Sequence, residues 1–164
     1  MISFDQIDFK NKRIFLRVDY NVPIENRNVT NDFRIRQTIP TIEKILQKGG
    51  SVIIVTHIGR PKEGIEDPEL STSLLIPTIE KLLKHTIRYK KNWIEGLDIE
   101  PGEVCLCENV RFLKGETSNN FYLSQKMSRL CDIFINEAFS NSHRTHASNY
   151  GVTQFNSQNY AGPL

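Results

Sequence analysis

Apolar residues along this chain fall into two alternating rhythms. Arg13-Ile14-Phe15-Leu16-Arg17-Val18 is a short β-rich run that stops at Asp19, with Pro23 just beyond, and predicts a strand followed by a loop. Ile35, Ile39, Ile42, Ile45 and Leu46 then recur at helical spacing, and Gly49-Gly50 ends that helix. Pro40 either opens the regular part of the helix or kinks it. Val52-Ile53-Ile54-Val55 is continuously apolar, as expected of a central parallel strand covered on both faces, and stops at Thr56-His57-Ile58-Gly59-Arg60-Pro61. Leu74, Leu75, Ile79, Leu82 and Leu83, introduced by Ser71-Thr72-Ser73, predict a second helix, and a weaker strand follows near Ile87 to Tyr89. Val104 to Cys107 reads as a strand ending at Glu108-Asn109-Val110-Arg111. Asn120 to Leu130 reads as a third helix with Phe121, Leu123, Met127 and Leu130 inward, before a strand Ile133-Phe134-Ile135 that ends at Asn136-Glu137-Ala138-Phe139. Ser140 to Leu164 is polar and small and resists assignment.

Strand and helix alternating at this spacing predict one α/β domain over residues 1–164, Rossmann-like, with three layers and a mainly parallel central sheet. No internal repeat, low-complexity segment or linker divides it. The length of 164 residues suits a single core, and contents of 38% apolar and 24% charged residues favour folding over disorder. No apolar run approaches the roughly 20 residues of a membrane helix, and the N-terminus lacks the apolar stretch of a secretion signal. A formal charge of +2 is too mild for a chain that binds nucleic acid or membrane through its overall charge. Cys105, Cys107 and Cys131 form no C-x-x-C pair; Cys105 and Cys107 should share one strand face, and all three read as buried thiols of a cytoplasmic protein rather than a zinc site. The sequon Asn28-Val29-Thr30 is then incidental.

The informative feature is where polar residues fall. Each apolar strand ends in a cluster that a core does not require: Asp19 and Asn21, His57 and Arg60, Asn109 and Arg111, then His143 and Arg144 in the last loop. In open α/β sheets ligands sit outside the carboxyl ends of the strands, so these residues should line one crevice. Arg34, opening the first helix, could reach the same space, and His146 could touch a ligand or cap a loop. Guanidinium forks bind phosphate and carboxylate in bidentate fashion, each charge pair at about 4 Å contributing on the order of 4 kcal/mol at an effective dielectric near 20. The inventory is that of a site for a small multi-anion. Asp19 would repel a phosphate and so should face a hydroxyl, with Asn21 beside it. His85 reads as surface on the polar side of the second helix, and Lys90-Lys91 as a charged turn.

Five of these segments resemble, in order and spacing, the motifs of the phosphoglycerate kinases. Arg17-Val18-Asp19-Tyr20-Asn21-Val22-Pro23 is similar to R-V-D-F-N-V-P, and Arg34-Ile35-Arg36-Gln37-Thr38-Ile39-Pro40-Thr41-Ile42 to R-I-x-x-x-L-P-T-I. Thr56 to Pro61 resembles S-H-L-G-R-P, Glu108 to Phe112 matches E-N-V-R-F, and Ala138 to Ser148 resembles A-F-x-x-x-H-R-x-H-A-S. The resemblance implies phosphoryl transfer between 1,3-bisphosphoglycerate plus ADP and 3-phosphoglycerate plus ATP, by a glycolytic, cytoplasmic, monomeric enzyme. It implies that Asp19 and Asn21 meet the substrate's hydroxyl and carboxyl end. His57, Arg60, Arg111 and Arg144 would hold the non-transferring phosphate, and Arg34 would stabilise the migrating phosphoryl group as the catalytic residue. Asn109, His143 and His146 are further possible contacts, and no metal ligand is expected among these residues. Mg-ATP or Mg-ADP would be bound by a C-terminal domain, because neither G-x-G-x-x-G nor a P-loop is present here. The chain is therefore expected to be the substrate-binding half of a longer enzyme, inactive alone and without a cofactor of its own. Glu137 departs from the family's N-D-A-F. The alternatives are a stand-alone anion-binding or regulatory module, and a nucleic-acid-binding domain drawing on the same arginines, which the interleaved Asp and Asn disfavour.

Overall fold

Arg13–Arg17 forms strand β1, buried from Ile14 onward. In the computed structural model, which describes residues 2–138 and 143–163, a two-residue hairpin of β2 (Ile24–Glu25) and β3 (Asn28–Val29) leads into helix α1 (Phe33–Gln47). Strand β4 (Ser51–Val55) follows, then a 3₁₀ turn (Thr72–Leu75) running into α2 (Ile76–Leu83), and strands β5 (Arg88–Lys90) and β6 (Val104–Cys107). Helix α3 (Phe121–Arg129), β7 (Ile133–Asn136), a 3₁₀ turn (Gly151–Gln154) and β8 (Asn159–Ala161) complete the order. One sheet runs β5-β6-β4-β1-β7-β8 with every pairing parallel, so the expected mainly parallel α/β sheet is parallel throughout.

Two apolar layers cover this sheet, and strand alternation sorts the residues between them. Ile14 and Leu16 of β1, with Val52 and Ile54 of β4, pack against Ile35, Ile39, Ile42 and Ile45 of α1 and Ile79 and Leu83 of α2. Phe15, Ile53 and Val55 point the other way, onto Trp93, Leu123 and Met127. Each such side chain contributes about 1.5–3 kcal/mol on burial. The connection after β1 thus runs over one face with α1, while Ala147 and Val152, after β7, pack on the other. Adjacent strands whose connections part to opposite faces leave a crevice at their carboxyl ends. Pro40 lies inside α1 rather than at its start. Its missing N–H falls on the exposed side of the helix, where water can reach the Arg36 carbonyl.

Several expectations need correction. Phe121 does not point inward: it is 59% exposed, because Asn120 is the N-cap and accepts the Leu123 N–H, which sets Phe121 at the outer start of the helix against Phe155. His85 lies past the end of α2 and is half-buried, and Lys90 belongs to β5 rather than to a turn. The unassigned tail adds the edge strand β8, paired with β7 from Phe134–Asn159 to Asn136–Ala161. Cys105, Cys107 and Cys131 are free and buried as expected, the thiols of the first two meeting on one face of β6. Phe139 at the end of the β7 motif and Ser140, Asn141 and Ser142 within the Ala138–Ser148 motif lie outside the described residues, as do Met1 and Leu164 at the bounds of the 1–164 domain. No helix among the described residues is long and apolar enough to cross a membrane.

Candidate anion site

The carboxyl ends of β1, β4 and β6 are tied together by their own polar side chains. Asn21 Oδ1 accepts the Gly59 N–H at 2.9 Å, and Thr56 Oγ1 accepts the Tyr20 N–H at 2.9 Å, which fixes the loop after β1 to the loop after β4. Gly59 has φ +63°, and a β-carbon there would press on Leu70, so glycine is favoured in the turn that delivers Arg60. Asn109 uses both amide protons on the Ile58 and Leu70 carbonyls, each at 2.9 Å, and its Oδ1 caps the Arg111 N–H at 3.0 Å. Those bonds occupy Asn109 with the scaffold rather than the crevice. They also set a 3₁₀ turn (Val110–Phe112) that carries Arg111, whose Nη1 reaches the Gly59 carbonyl at 3.3 Å.

Behind the crevice lies a buried ionic network. Arg17, fully buried at the end of β1, donates from Nε to Ser148 Oγ at 2.8 Å, from Nη1 to the Val18 carbonyl, and from Nη2 to His57 Nδ1 at 3.2 Å. Ser148 donates a hydrogen bond from its hydroxyl to Glu116 Oε2 at 2.5 Å and from its N–H to Glu116 Oε1 at 2.9 Å. Burial lowers the Arg17 pKa, and burial raises that of Glu116 against the pull of Arg17 and Ser148.

Positive groups crowd the front. Burial first, then Arg144 and Arg60, lower the Arg111 pKa, and Arg111 Nε is buried without an acceptor among the described residues. His57 is pushed down to about 3 by burial and then by Arg17, Arg111 and Arg144. His146 is lowered by burial and by Arg111, Arg144 and Arg17. Arg60 and Arg144 are exposed, free to swing onto a ligand. Asp19 couples this cluster to Arg34, whose Nη1 bonds Asp19 Oδ2 at 2.8 Å and the Asn21 carbonyl at 3.4 Å. A depression of about 480 Å³ opens beside Asn21, Pro23 and Arg34. The structure therefore brings together Asp19, His57, Arg60, Arg111, Arg144 and His146, with Asn21 and Arg34 at one end. His143 is exposed beside Arg144, and no contact ties its side chain to the cluster among the described residues.

Residues 4–164 match the sequence pattern of the family described as phosphoglycerate kinase. The chain belongs to the phosphoglycerate kinase family. It is 40% identical over 164 residues to the phosphoglycerate kinase of Legionella pneumophila (strain Lens), covering 100% of this chain and 41% of that protein. Among solved structures, phosphoglycerate kinase from Coxiella burnetii superposes with a TM-score of 0.95 at 41% identity, covering 99% of this chain and 42% of that one. The Pyrococcus horikoshii OT3 phosphoglycerate kinase gives a TM-score of 0.85 at 28% identity, again over 99% and 42%. The chain thus spans about two fifths of the length of these relatives.

The site roles implied by the motifs fall on residues at the front of the crevice and leave out those behind it. Arg17 and Ser148 lie inside two of the matched motifs, Arg17 as a charged residue closing an apolar strand, but have no site role assigned to them there; Glu116 lies in none of the motifs.

Proposed function

We propose that this chain is the phosphoglycerate-binding part of a phosphoglycerate kinase, residues 1–164 forming one domain that holds 3-phosphoglycerate or 1,3-bisphosphoglycerate at the strand ends. The observation that carries this is the convergence of His57, Arg60, Arg111 and Arg144 on one space, with Asp19 and Asn21 at its edge. Like charges that repel one another in the free protein find their counterpart in a phosphate. Asp19 and Asn21 offer an acceptor and an amide suited to the hydroxyl and carboxyl end. In the family reaction ADP and ATP act with Mg²⁺. The proposal places the nucleotide's contacts in a further domain of the parent enzyme, a glycolytic, cytoplasmic monomer.

A thermal-shift titration with 3-phosphoglycerate, beside ATP and single-stranded RNA, tests the reading. Ligand at about 100 times its dissociation constant should add roughly 2.7 kcal/mol. At about 2–4 °C per kcal/mol, the midpoint should rise by several degrees. Absence of a shift with 3-phosphoglycerate in a folded sample would overturn the substrate assignment, and a shift with RNA alone would favour a nucleic-acid site.

Arg111 gives a second expected outcome. A hydrogen bond to a charged group contributes about 1.5–3 kcal/mol, so Arg111→Met should weaken 3-phosphoglycerate binding roughly 10- to 150-fold by calorimetry. Urea unfolding of the ligand-free variant should show little loss of stability, because a buried cation that its neighbours repel has gone. A large loss would recast Arg111 as a structural residue.

A further inference from the structure

Arginine can only donate hydrogen bonds. The contact of Arg17 Nη2 with His57 Nδ1 at 3.2 Å therefore requires that Nδ1 be the acceptor, which leaves the imidazole proton on Nε2. Arg17 cannot turn away to leave that contact open. Its Nε is committed to Ser148, its Nη1 to the Val18 carbonyl, and Ser148 is held in turn by both oxygens of Glu116. The link spans the end of β1, the loop before α3 and the last loop, and all its members are buried. On the other side of the ring, no residue among those described bonds Nε2.

We propose that Arg17, locked by Ser148 and Glu116, is a positioning residue that fixes His57 in its Nε2–H form, so that His57 meets the substrate's phosphate as a neutral hydrogen-bond donor and not as a cation. The proposal rests on the phosphoglycerate-binding reading above. Its physical sense lies in the crowding of charge. Arg17 from β1, Arg111 from the turn after β6 and Arg144 from the last loop all face His57, and among the described residues Asp19 is the acidic group that opposes them. An imidazolium would add one more positive charge to a buried set that already repels itself. Burial and these neighbours hold the His57 pKa at about 3, so the neutral form persists through the range in which free histidine titrates. The tautomer then supplies the directed donor that a charge would otherwise give.

Long-range ¹H–¹⁵N spectra of the ligand-free chain between pH 5 and 8 read the tautomer directly, with His57 assigned by its loss in His57→Gln. The expected spectrum shows an unprotonated Nδ1 and a protonated Nε2 that do not titrate in this window. A proton on Nδ1, or titration to the imidazolium, overturns the proposal while leaving phosphoglycerate binding intact. In calorimetric titrations with 3-phosphoglycerate, His57→Asn should lose roughly tenfold or more in affinity, since its amide reaches only the place of Nδ1. His57→Gln, whose amide nitrogen can take the place of Nε2, should rescue most of that loss, and equal losses in the two would refute the donor role. In the Arg17→Met/Glu116→Leu double variant, which removes the clamp without stranding a charge, His57 should begin to titrate nearer its ordinary pH. An unchanged His57 there would show that Arg17 does not set its state. If the expected tautomer is present but 3-phosphoglycerate gives no response, the substrate reading fails and the donor role falls with it.

Discussion

Replacing Arg17 alone with methionine should destabilise the chain by about 3–5 kcal/mol, because it leaves the Glu116 carboxyl buried without the guanidinium that favours its charged form. Glu116 lies fully inside the protein, and its own hydrogen bonds come from the N–H and hydroxyl of Ser148. Those neutral donors do not replace a guanidinium. The double variant Arg17→Met/Glu116→Leu should recover most of the loss, since exchanging a whole buried pair for apolar residues of similar volume is often neutral. Urea unfolding of the wild type, both single variants and the double variant forms a closed cycle. A coupling of more than about 1 kcal/mol identifies the two residues as one unit. Single effects that simply add would show that Arg17 and Glu116 act independently. The same cycle separates stability from function, because an apolar pair can support the fold but cannot donate to His57.

How far the sequence disclosed this arrangement depends on how local each cause is. β1, β4, β6 and β7 were legible because strands covered on both faces are continuous apolar runs, and Val104–Cys107 was placed to the residue. β8 was not, since Asn159-Tyr160-Ala161 has one large apolar residue and owes its extended form to pairing with β7. The β2–β3 hairpin, two residues a strand, has no period to read. Phe121 was misplaced because helical spacing alone does not mark where a helix starts; the Asn120 cap does. In the site, arginines after successive strands were visible because parallel topology sends all strand ends one way. Asn109, in the same pattern, proved to hold backbone carbonyls together. Glu116 lies in no motif, and Ser148 ends one without a role attached, since their role exists only once residues 17, 116 and 148 meet. The Glu137 departure has a structural context too. Its side chain accepts the Thr41 hydroxyl from α1 at 2.8 Å and lies against Gly162, where a β-carbon would collide with it.

In a chain that carries both the substrate and the nucleotide halves, Arg34→Ala should lower turnover by roughly 10²–10³, the size of effect seen when one oriented donor is lost from a charged transition state. Phosphoryl transfer asks the protein mainly for positioning and for neutralisation of charge on the migrating group. Arg34 is suited to that by its place. It stands at the first turn of α1, about half exposed, away from the buried cluster that would hold the distal phosphate. Asp19, largely covered, keeps it aimed through a 2.8 Å ion pair, and the Asn21 carbonyl adds a second hold on the same nitrogen. On this proposal Asp19 would discourage a resting phosphate from settling there, leaving the full interaction with Arg34 for the migrating group. On this account kcat should fall while the KM for 3-phosphoglycerate changes far less, and Arg34→Lys should restore part of the rate, a point charge replacing a planar fork. Steady-state kinetics decide it: a variant with raised KM and unchanged kcat would make Arg34 a ground-state binding residue and would place the charge-stabilising role elsewhere.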